Sequence, residues 1–291
     1  MQGIAMTDLN EKYNALVAYI SDLKSVAVAY SGGVDSTFLL AVATRTLKDN
    51  AVGVIGRSPT YPKREQEDAI RIAREMGARI HFIDTDEIND DAFNTNPPTR
   101  CFVCKNTLFK GIWAAAHELG CDYVLEGSNS DDLGDFRPGM DAARQLNVKA
   151  PLVELNFTKD EIRALSKELA LPTWNKPAFA CLSSRVPWGQ PITLKKLSRI
   201  EKAEYALRDL GFSGIRVRDY DDLCRIEVPP GDIPRFAEES LRNNVVTQLK
   251  DAGYRFVCLD LEGYRTGSMN ETLTPETRIN ARKAPPAGSE S

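Results

Sequence analysis

Residues 26–37 read Val-Ala-Val-Ala-Tyr-Ser-Gly-Gly-Val-Asp-Ser-Thr, and this stretch determines the expected fold. An apolar strand passes through a short polar turn directly into an amphipathic helix. Two adjacent glycines, Gly32 and Gly33, let the backbone bend sharply and approach an anion, and a side chain at Gly33 would obstruct that anion and strain the turn. The N–H groups at the start of the helix point into the same space. The stretch therefore predicts a phosphate-binding loop.

Three hydroxyl side chains, Ser31, Ser36 and Thr37, and one carboxylate, Asp35, complete this loop. The other common ATP-binding loop has the spacing Gly-x-x-x-x-Gly-Lys-Ser/Thr, and both that spacing and its lysine are absent. Residues 31–36 instead resemble the loop of the PP-loop ATP pyrophosphatases. That resemblance implies ATP binding, cleavage between the α- and β-phosphates, adenylation of a carboxylate or carbonyl oxygen, and release of pyrophosphate.

Composition limits the class of protein. The chain has 291 residues, a net charge of -4 and a pI near 5.5. No apolar run approaches the roughly 20 residues that span a bilayer, and residues 1–12 lack a signal pattern, so we expect a cytoplasmic protein without a membrane partner. The acidic balance disfavours nucleic acid as a partner. The 6 cysteines of an intracellular chain indicate metal or redox chemistry rather than disulfides.

The apolar pattern predicts an α/β fold, in which a parallel sheet carries helices on both faces and a smaller α+β C-terminal domain follows. Prolines and glycines interrupt residues 172–191, which are predicted to link the two domains. We expect a PP-loop ATP pyrophosphatase domain over residues 1–180. Residues 181–273 are expected to form a domain for substrate binding and oligomerisation, and residues 274–291 a disordered tail.

Polar residues follow the strands at their carboxyl ends, the edge where open α/β sheets bind ligands. Arg57 follows the second strand and is predicted to meet the nucleotide, with a solvated loop arginine as the alternative. Gly127, Asn129 and Asp131 follow the fourth strand and are predicted to contact ATP. The same loop holds three carboxylates that indicate Mg²⁺ or ribose contacts, unless they form an acidic surface turn. These are Asp131, Asp132 and Asp135.

Cys101 and Cys104 lie at the start of a predicted helix, a setting that lowers a thiol pKa and favours the thiolate. The linker adds Cys181, beside Ser184 and Arg185, a combination suited to an active site between domains. Three thiols can hold a [4Fe–4S] cluster with one iron open for sulfide. Zinc is the alternative, although closed zinc sites need four ligands. The remaining cysteines are predicted to be small core residues: Cys121, Cys224 and Cys258.

Arg216 and Arg218 lie two residues apart in a predicted strand and must share one face. Two guanidinium groups on one face can bind a substrate phosphate. The alternative is an ordinary solvated strand face.

From the first helix to about Leu273, the chain is similar to the LarE family of ATP-dependent sulfur transferases, which make the nickel-pincer nucleotide cofactor of lactate racemase. The matching stretches are residues 31–36, 58–62, 127–132, 181–185, 225–228 and 260–265. The resemblance implies that the carboxylates of a pyridinium-3,5-biscarboxylic acid mononucleotide are adenylated with ATP and Mg²⁺ and converted to thiocarboxylates. We expect Cys181, Asp35, Ser184 and Arg185 to be catalytic and the chain to form a homo-oligomer.

The source of sulfur has two interpretations. The simplest family members sacrifice the sulfur of a cysteine at the position of Cys181 and leave dehydroalanine. This chain adds Cys101 and Cys104, which favours a cluster that carries sulfide from a sulfur donor. A PP-loop tRNA thiolase is a further alternative, but it needs a basic surface. An amidating ligase would need a glutaminase domain, for which 291 residues leave no room.

Overall fold

The computed structural model describes residues 6–134, 138–177 and 179–277. Strands and helices alternate from the start of the described chain to residue 125, and three further helices follow before residue 170. Four strands form the sheet of this part: β1 (Val26–Ala29), β2 (Ala51–Arg57), β3 (Arg79–Asp84) and β4 (Tyr123–Leu125). The helices of this part are α1 (Met6–Leu23), α2 (Val34–Leu47), α3 (Lys63–Glu75), α4 (Asp91–Asn94), α5 (Arg100–Glu118), α6 (Pro138–Gln145), α7 (Pro151–Glu154) and α8 (Lys159–Glu168).

All four strands run parallel, in the order β3-β2-β1-β4. Lys149 adds a parallel bridge to Leu125 at the β4 edge. Parallel strands need a crossover between each pair, and the intervening helices supply it. The predicted parallel α/β sheet is thereby confirmed.

Apolar residues cover both faces of this sheet. On one face, α1, α2 and α8 enclose a core that includes Phe38 and Phe157. On the other face, α5 contributes Phe109 and Ile112. Burial on both sides explains why β1 and β2 consist almost entirely of small and branched apolar residues.

A smaller mixed sheet follows and confirms the predicted α+β C-terminal part. Its elements are α9 (Leu194–Asp209), β5 (Arg216–Tyr220), β6 (Leu223–Glu227), α10 (Glu239–Asp251) and β7 (Phe256–Leu259). Strands β5 and β6 are antiparallel, whereas β6 and β7 are parallel. Its core includes Leu207, Val217 and Ile226, which are buried between the sheet and its helices.

The segment between the two sheets has little regular structure but many contacts. Apart from a short 3₁₀ turn at Leu182–Arg185, its described residues form loops and turns. Leu182 and Val186 pack in one apolar cluster with Phe93 and Val103 of the first part. The predicted linker is thus bound firmly to the first sheet domain.

Two predictions fall on other parts of the chain. Asp135 and residues 278–291, most of the expected tail, lie outside the described residues. Within the described part, the structure contains no helix that is long and apolar enough to cross a membrane.

Candidate active site

The predicted phosphate-binding loop joins β1 to the N-terminus of α2. The Ser31 N–H donates to Ser36 Oγ at 3.3 Å, and the two seryl oxygens lie 3.1 Å apart. Gly33 is the N-cap of α2, so no side chain there closes the helix end. The first N–H groups of α2 are therefore available to an anion.

The strained glycine is Gly32 rather than Gly33. Gly32 has φ 71°, and a Cβ on it would lie 2.6 Å from Ala69 Cβ. Gly33 has φ -78°, and a Cβ would meet only Ser31 Oγ at 3.5 Å. The prediction that a side chain at Gly33 would strain the turn is wrong, because its backbone conformation suits any residue. The tight approach of this loop to α3 occurs one residue earlier.

A cavity of about 280 Å³ opens at this loop, between the carboxyl ends of the strands. We call it the loop cavity. Ser31, Gly33, Asp35 and Ser36 line it from one side, and Gly127 from another. A Cβ on Gly127 would lie 2.9 Å from the Ser36 N atom, so this glycine lets the β4 loop approach α2 closely. The cavity lies where the sequence predicts a nucleotide.

Several residues predicted to bind nucleotide are not among those that line the loop cavity. The Arg57 guanidinium makes two 2.8 Å hydrogen bonds to Asp84. Thr37 and Asn129 are fully buried. The Asp131 carboxylate accepts a hydrogen bond from the backbone N–H of Lys159 at 2.8 Å. Arg57 and Asp131 therefore already have protein partners, and Asn129 shapes the loop by accepting a 3.0 Å bond from the Asp131 N–H.

Asp35 lines the loop cavity with one oxygen engaged. Its Oδ2 pairs with the Lys159 ammonium, while Oδ1 is buried without a hydrogen-bond partner among the described residues. Four further carboxylates of the described residues line the same cavity, and three of them, Glu65, Glu87 and Glu126, are not marked by any motif of the sequence. The four are Glu65, Glu87, Glu126 and Asp132. Such an acidic cavity suits a phosphate ligand only with cations present.

The three predicted cysteine ligands lie near one another. Burial is the largest cause of the raised pKa of Cys101, Cys104 and Tyr61. The Cys181 thiol raises the pKa of the other two cysteines further, and all three thiols add to the rise in the Tyr61 pKa. Cys104 Sγ also lies 4.0 Å from Glu87 Oε1. In its chemistry, this set of donors fits an iron–sulfur cluster. Within the described residues, however, no group of three or more His, Cys, Asp or Glu side chains has the geometry to hold a metal ion.

The expected lowering of the thiol pKa at the helix start is wrong. Burial raises the pKa of Cys101 and of Cys104, and for Cys104 the neighbouring Glu87 raises it further. Burial disfavours the charged thiolate and is the largest cause for both thiols. Cys121 and Cys224 are buried, as predicted, but Cys258 is exposed on the edge strand β7, so its assignment to the core is also wrong.

The Cys181 carbonyl is held by the residues that follow it. Ser184 Oγ donates to it at 2.8 Å, and Arg185 Nη1 donates at 2.8 Å. Arg185 is fully buried, and its Nε and Nη2 bind both carboxylate oxygens of Glu204 at 2.9 and 3.0 Å. Every donor nitrogen of Arg185 is therefore engaged by protein. This geometry makes Arg185 a positioning residue for Cys181.

Arg216 and Arg218 share one face of β5, as predicted, but that face is buried, which excludes the solvated alternative. The Arg218 guanidinium is engaged by Glu227 at 2.9 and 2.6 Å and by the Ser184 carbonyl at 3.0 Å. Arg216 instead lines a cavity of about 310 Å³, and burial lowers its pKa. The two arginines therefore occupy different environments.

We call this second space the arginine cavity. Arg216 shares it with Lys176 and Arg208, and Glu65 contacts both of these cations at 2.9 and 3.1 Å. Tyr264 adds an aromatic face 4.9 Å from the Arg216 guanidinium carbon. Three cations against one carboxylate suit an anionic ligand. Lys176 and Arg208 were missed in the sequence because only folding brings the linker and α9 beside β5.

The two cavities share a wall. Phe179 and Glu65 line both of them. The Phe179 ring lies 6.4 Å from the Tyr61 ring, and Tyr61 also lines the loop cavity. Cys181 follows Phe179 by two residues, and its thiol lies near enough to Tyr61 to add to the rise that burial causes in the Tyr61 pKa. A ligand held in the arginine cavity is therefore adjacent to a nucleotide held in the loop cavity.

Comparisons with known proteins agree with this arrangement. A family model described as NAD synthase matches residues 9–108. The pyridinium-3,5-bisthiocarboxylic acid mononucleotide synthase of Lactiplantibacillus plantarum is 38% identical, with 92% of this chain and 97% of the relative covered. The chain belongs to this synthase family. The chain is also similar to two uncharacterized proteins. One, from Synechocystis sp., is 41% identical over 91% of this chain and 99% of the relative, and the other, from Methanocaldococcus jannaschii, is 31% identical over 84% of this chain and 92% of the relative.

Membership of the synthase family confirms the resemblance that six short stretches of the sequence indicated. The matched family model covers β1, the phosphate-binding loop and α2, so it supports use of ATP at the loop cavity.

Proposed function

We propose that this protein is an ATP-dependent sulfur transferase. It adenylates the carboxylates of a pyridinium-3,5-biscarboxylic acid mononucleotide, releases pyrophosphate and converts the carboxylates to thiocarboxylates. One observation carries the proposal: the loop cavity and the arginine cavity share Phe179 and Glu65 as a wall. Cys181 lies near Tyr61, which lines the loop cavity and packs against Phe179. The choice of substrate is supported by the Lactiplantibacillus plantarum relative, a pyridinium-3,5-bisthiocarboxylic acid mononucleotide synthase.

In this proposal the loop cavity binds ATP. The N–H groups at the start of α2 and the hydroxyls of Ser31 and Ser36 bind the phosphates. Mg²⁺ usually binds through phosphates, water and one or two carboxylates, and Asp35, Glu126 and Asp132 are the lining carboxylates nearest in sequence to the loop and to β4. A metal ion held there would offset the negative charge of the lining carboxylates and so allow this acidic cavity to bind a polyphosphate.

The arginine cavity binds the phosphate of the mononucleotide. Arg216 and Arg208 offer guanidinium forks that match phosphate oxygens, and Lys176 adds a third cation. With the phosphate held there, the pyridinium ring extends along Phe179 and presents a carboxylate to the α-phosphate of ATP. A cationic ring against aromatic faces is a favourable contact. Arg218, bound to Glu227, supports β5 rather than the ligand.

Sulfur delivery is assigned to the three cysteines. Cys101, Cys104 and Cys181 would hold a [4Fe–4S] cluster, which would supply a carrier for sulfide from an external donor. Ser184 and Arg185 fix the Cys181 backbone through its carbonyl. Glu204 in turn fixes Arg185. The alternative is sacrifice of Cys181: its sulfur attacks the acyl-adenylate carbon, AMP leaves, and elimination leaves dehydroalanine in the chain.

The function is tested by incubating the full chain with ATP, Mg²⁺, sulfide and the biscarboxylic mononucleotide. We expect pyrophosphate release and a product that gains about sixteen mass units for each oxygen replaced by sulfur, with one ATP consumed for each carboxylate that is adenylated. A parallel reaction with unmodified tRNA tests the thiolase alternative. Pyrophosphate release with tRNA and none with the mononucleotide would overturn the proposal.

The sulfur source is tested on protein purified without oxygen. We expect brown protein whose iron content and visible absorption are lost in Cys101→Ser, Cys104→Ser and Cys181→Ser, with Cys121→Ser as the matched control. Colourless wild-type protein that loses one sulfur atom from Cys181 per turnover, seen by mass spectrometry, would restore the sacrificial route.

Association of copies of this chain is also part of the proposal. Phe256 and Leu261, at and just beyond edge strand β7, are 54% and 81% exposed, and such apolar side chains beside an unpaired strand edge favour self-association. Light scattering of wild type and Phe256→Ser tests this. A wild-type monomer at micromolar concentration would contradict it.

A further inference from the structure

The charge of the loop cavity is unevenly distributed. Its described lining residues include five carboxylates and one cationic side chain, Lys105. A ligand with a triphosphate therefore meets one protein ammonium group among these residues. That imbalance singles out Lys105, which lies directly after Cys104 on α5 and which the sequence did not distinguish from other surface lysines.

Contacts direct Lys105 toward the cavity. Its Nζ lies 4.0 Å from the buried Glu126 carboxylate, beyond hydrogen-bond distance, and 5.0 Å from the Phe109 ring centre. Gly139 makes room for its stem, since a Cβ there would lie 2.9 Å from Lys105 Cγ. The side chain is 37% exposed. Lys105 is thus supported along its length but has its ammonium available for a second anion.

We infer that Lys105 is a catalytic residue that contacts the α-phosphate of ATP during adenylation, an inference that rests on the proposed function. In that step a substrate carboxylate oxygen forms a bond to the α-phosphorus. The bond from this phosphorus to the oxygen bridging to the β-phosphorus breaks, and pyrophosphate leaves with the electron pair. No proton is transferred and no redox change occurs.

Negative charge shifts within the phosphates in this transition state. A fixed cation therefore stabilises the transition state more than it stabilises the ground state. The position of Lys105 beside Cys104 also gives it a second use. When sulfur attacks the acyl-adenylate and AMP departs, the same ammonium faces the phosphate of the leaving group. One lysine thus serves adenylation and sulfur insertion because its helix carries both it and Cys104.

The test compares Lys105→Met, Lys105→Arg and the control Lys110→Met. Lys110 is exposed on the same helix and does not line the loop cavity. Loss of one such charge-stabilising group typically lowers kcat by about 10²- to 10³-fold. We expect that loss for pyrophosphate release in Lys105→Met, with less than about tenfold weakening of ATP binding, partial recovery in Lys105→Arg, and wild-type rates in Lys110→Met.

The outcomes separate two failures. A wild type that releases no pyrophosphate with the mononucleotide overturns the proposed function itself. An active wild type together with a Lys105→Met variant of unchanged kcat overturns the role of Lys105. Circular dichroism and thermal unfolding of each variant show that the fold is retained, and Lys105→Arg provides a second folded variant if Lys105→Met is unstable.

Discussion

At the scale of single residues, the geometry distinguishes two adjacent glycines. Gly32 has a positive φ, and a Cβ on it would clash with Ala69, whereas Gly33 has an ordinary conformation in which a Cβ would make only a van der Waals contact with Ser31. We expect Gly32→Ala to lower the free energy of unfolding by about 1–3 kcal/mol, because it adds backbone strain and a clash. We expect Gly33→Ala to leave it nearly unchanged. Thermal unfolding without ATP measures both.

The double variant Gly32→Ala, Ala69→Gly is the control for the clash. It removes the Cβ that lies 2.6 Å from the added methyl group and leaves the backbone strain. We expect Gly32→Ala to lower the free energy of unfolding less in the Ala69→Gly background than in wild type. If Gly32→Ala unfolds at the same temperature as wild type, the tight approach of this loop to α3 is contradicted.

The two arginines of β5 also separate by function. Arg216→Met should weaken mononucleotide binding by tenfold or more and leave ATP binding unchanged, since a charged hydrogen bond contributes about 1.5–3 kcal/mol. Arg218→Met should instead lower stability by about 1–3 kcal/mol, because the buried Glu227 loses its bidentate partner and keeps only the ion pair with Arg225 at 3.0 Å. Calorimetric titration measures the first effect and urea unfolding the second.

The exposed Arg242→Met on α10 serves as the control for both measurements. If Arg216→Met binds the mononucleotide as tightly as wild type, the arginine cavity does not hold its phosphate.

At the scale of elements, α9 is tied to the linker and to β5 by one carboxylate. Glu204 is buried, which opposes ionisation, yet the Arg185 charge and hydrogen bonds lower its pKa below the usual 4.5. A carboxylate with a lowered pKa stabilises the fold above its unfolded pKa, and that stability is lost as pH falls through the folded value. We therefore expect wild type to lose stability from about pH 5 downward.

Glu204→Gln tests this pH dependence. The variant should be less stable than wild type at pH 7 by several kcal/mol, on the order of the cost of breaking a buried ion pair. Its stability should also fall less steeply than that of wild type between about pH 5 and pH 3. Urea unfolding midpoints at several pH values measure the slope. Glu118→Gln, on the exposed face of α5, is the control. Equal slopes in wild type and Glu204→Gln would contradict the assignment.

The elements themselves could be predicted because their causes are local. Continuous apolar runs indicate buried parallel strands, and the residues from Ser31 to Ser36 define the loop that follows β1. The second sheet could be predicted from alternation alone. What brings Lys176, Arg208 and Arg216 together is contact between elements far apart in sequence. No local pattern marks such residues, and the pKa of Cys104 depends on burial that the sequence does not show.

At the scale of the whole molecule, the sequence predicts two domains joined by an irregular linker, and in the structure this linker is held by hydrogen bonds to the first part of the chain. The Asn96 side chain donates to the carbonyls of Val186 and Pro187 at 3.2 and 2.6 Å and accepts a hydrogen bond from Arg100. Arg64 pairs with Asp209 at 2.7 Å across the same boundary. We expect both sheets to unfold in one transition, measured by urea titration with far-ultraviolet and tryptophan signals.

Asn96→Ala should lower stability by about 2–4 kcal/mol, since it leaves buried polar groups unpaired. It should also make residues 181–192 accessible to limited proteolysis. Asn96→Gly separates the effect of the side chain from that of the positive φ at this position. Two separate transitions in wild type would show that the contacts across the boundary are weak.

The shared wall between the cavities has a consequence for the order of events. The two carboxylates of a 3,5-substituted pyridinium ring are exchanged by a half-turn about the axis through the ring nitrogen. A phosphate held in the arginine cavity leaves this rotation free, so both carboxylates can meet the α-phosphate while the nucleotide tail stays anchored. Under the proposed function, conversion is therefore processive. Mass spectra taken during the reaction should show the half-converted species only at or below the enzyme concentration, and its accumulation in solution would mean that the phosphate is released between the two steps.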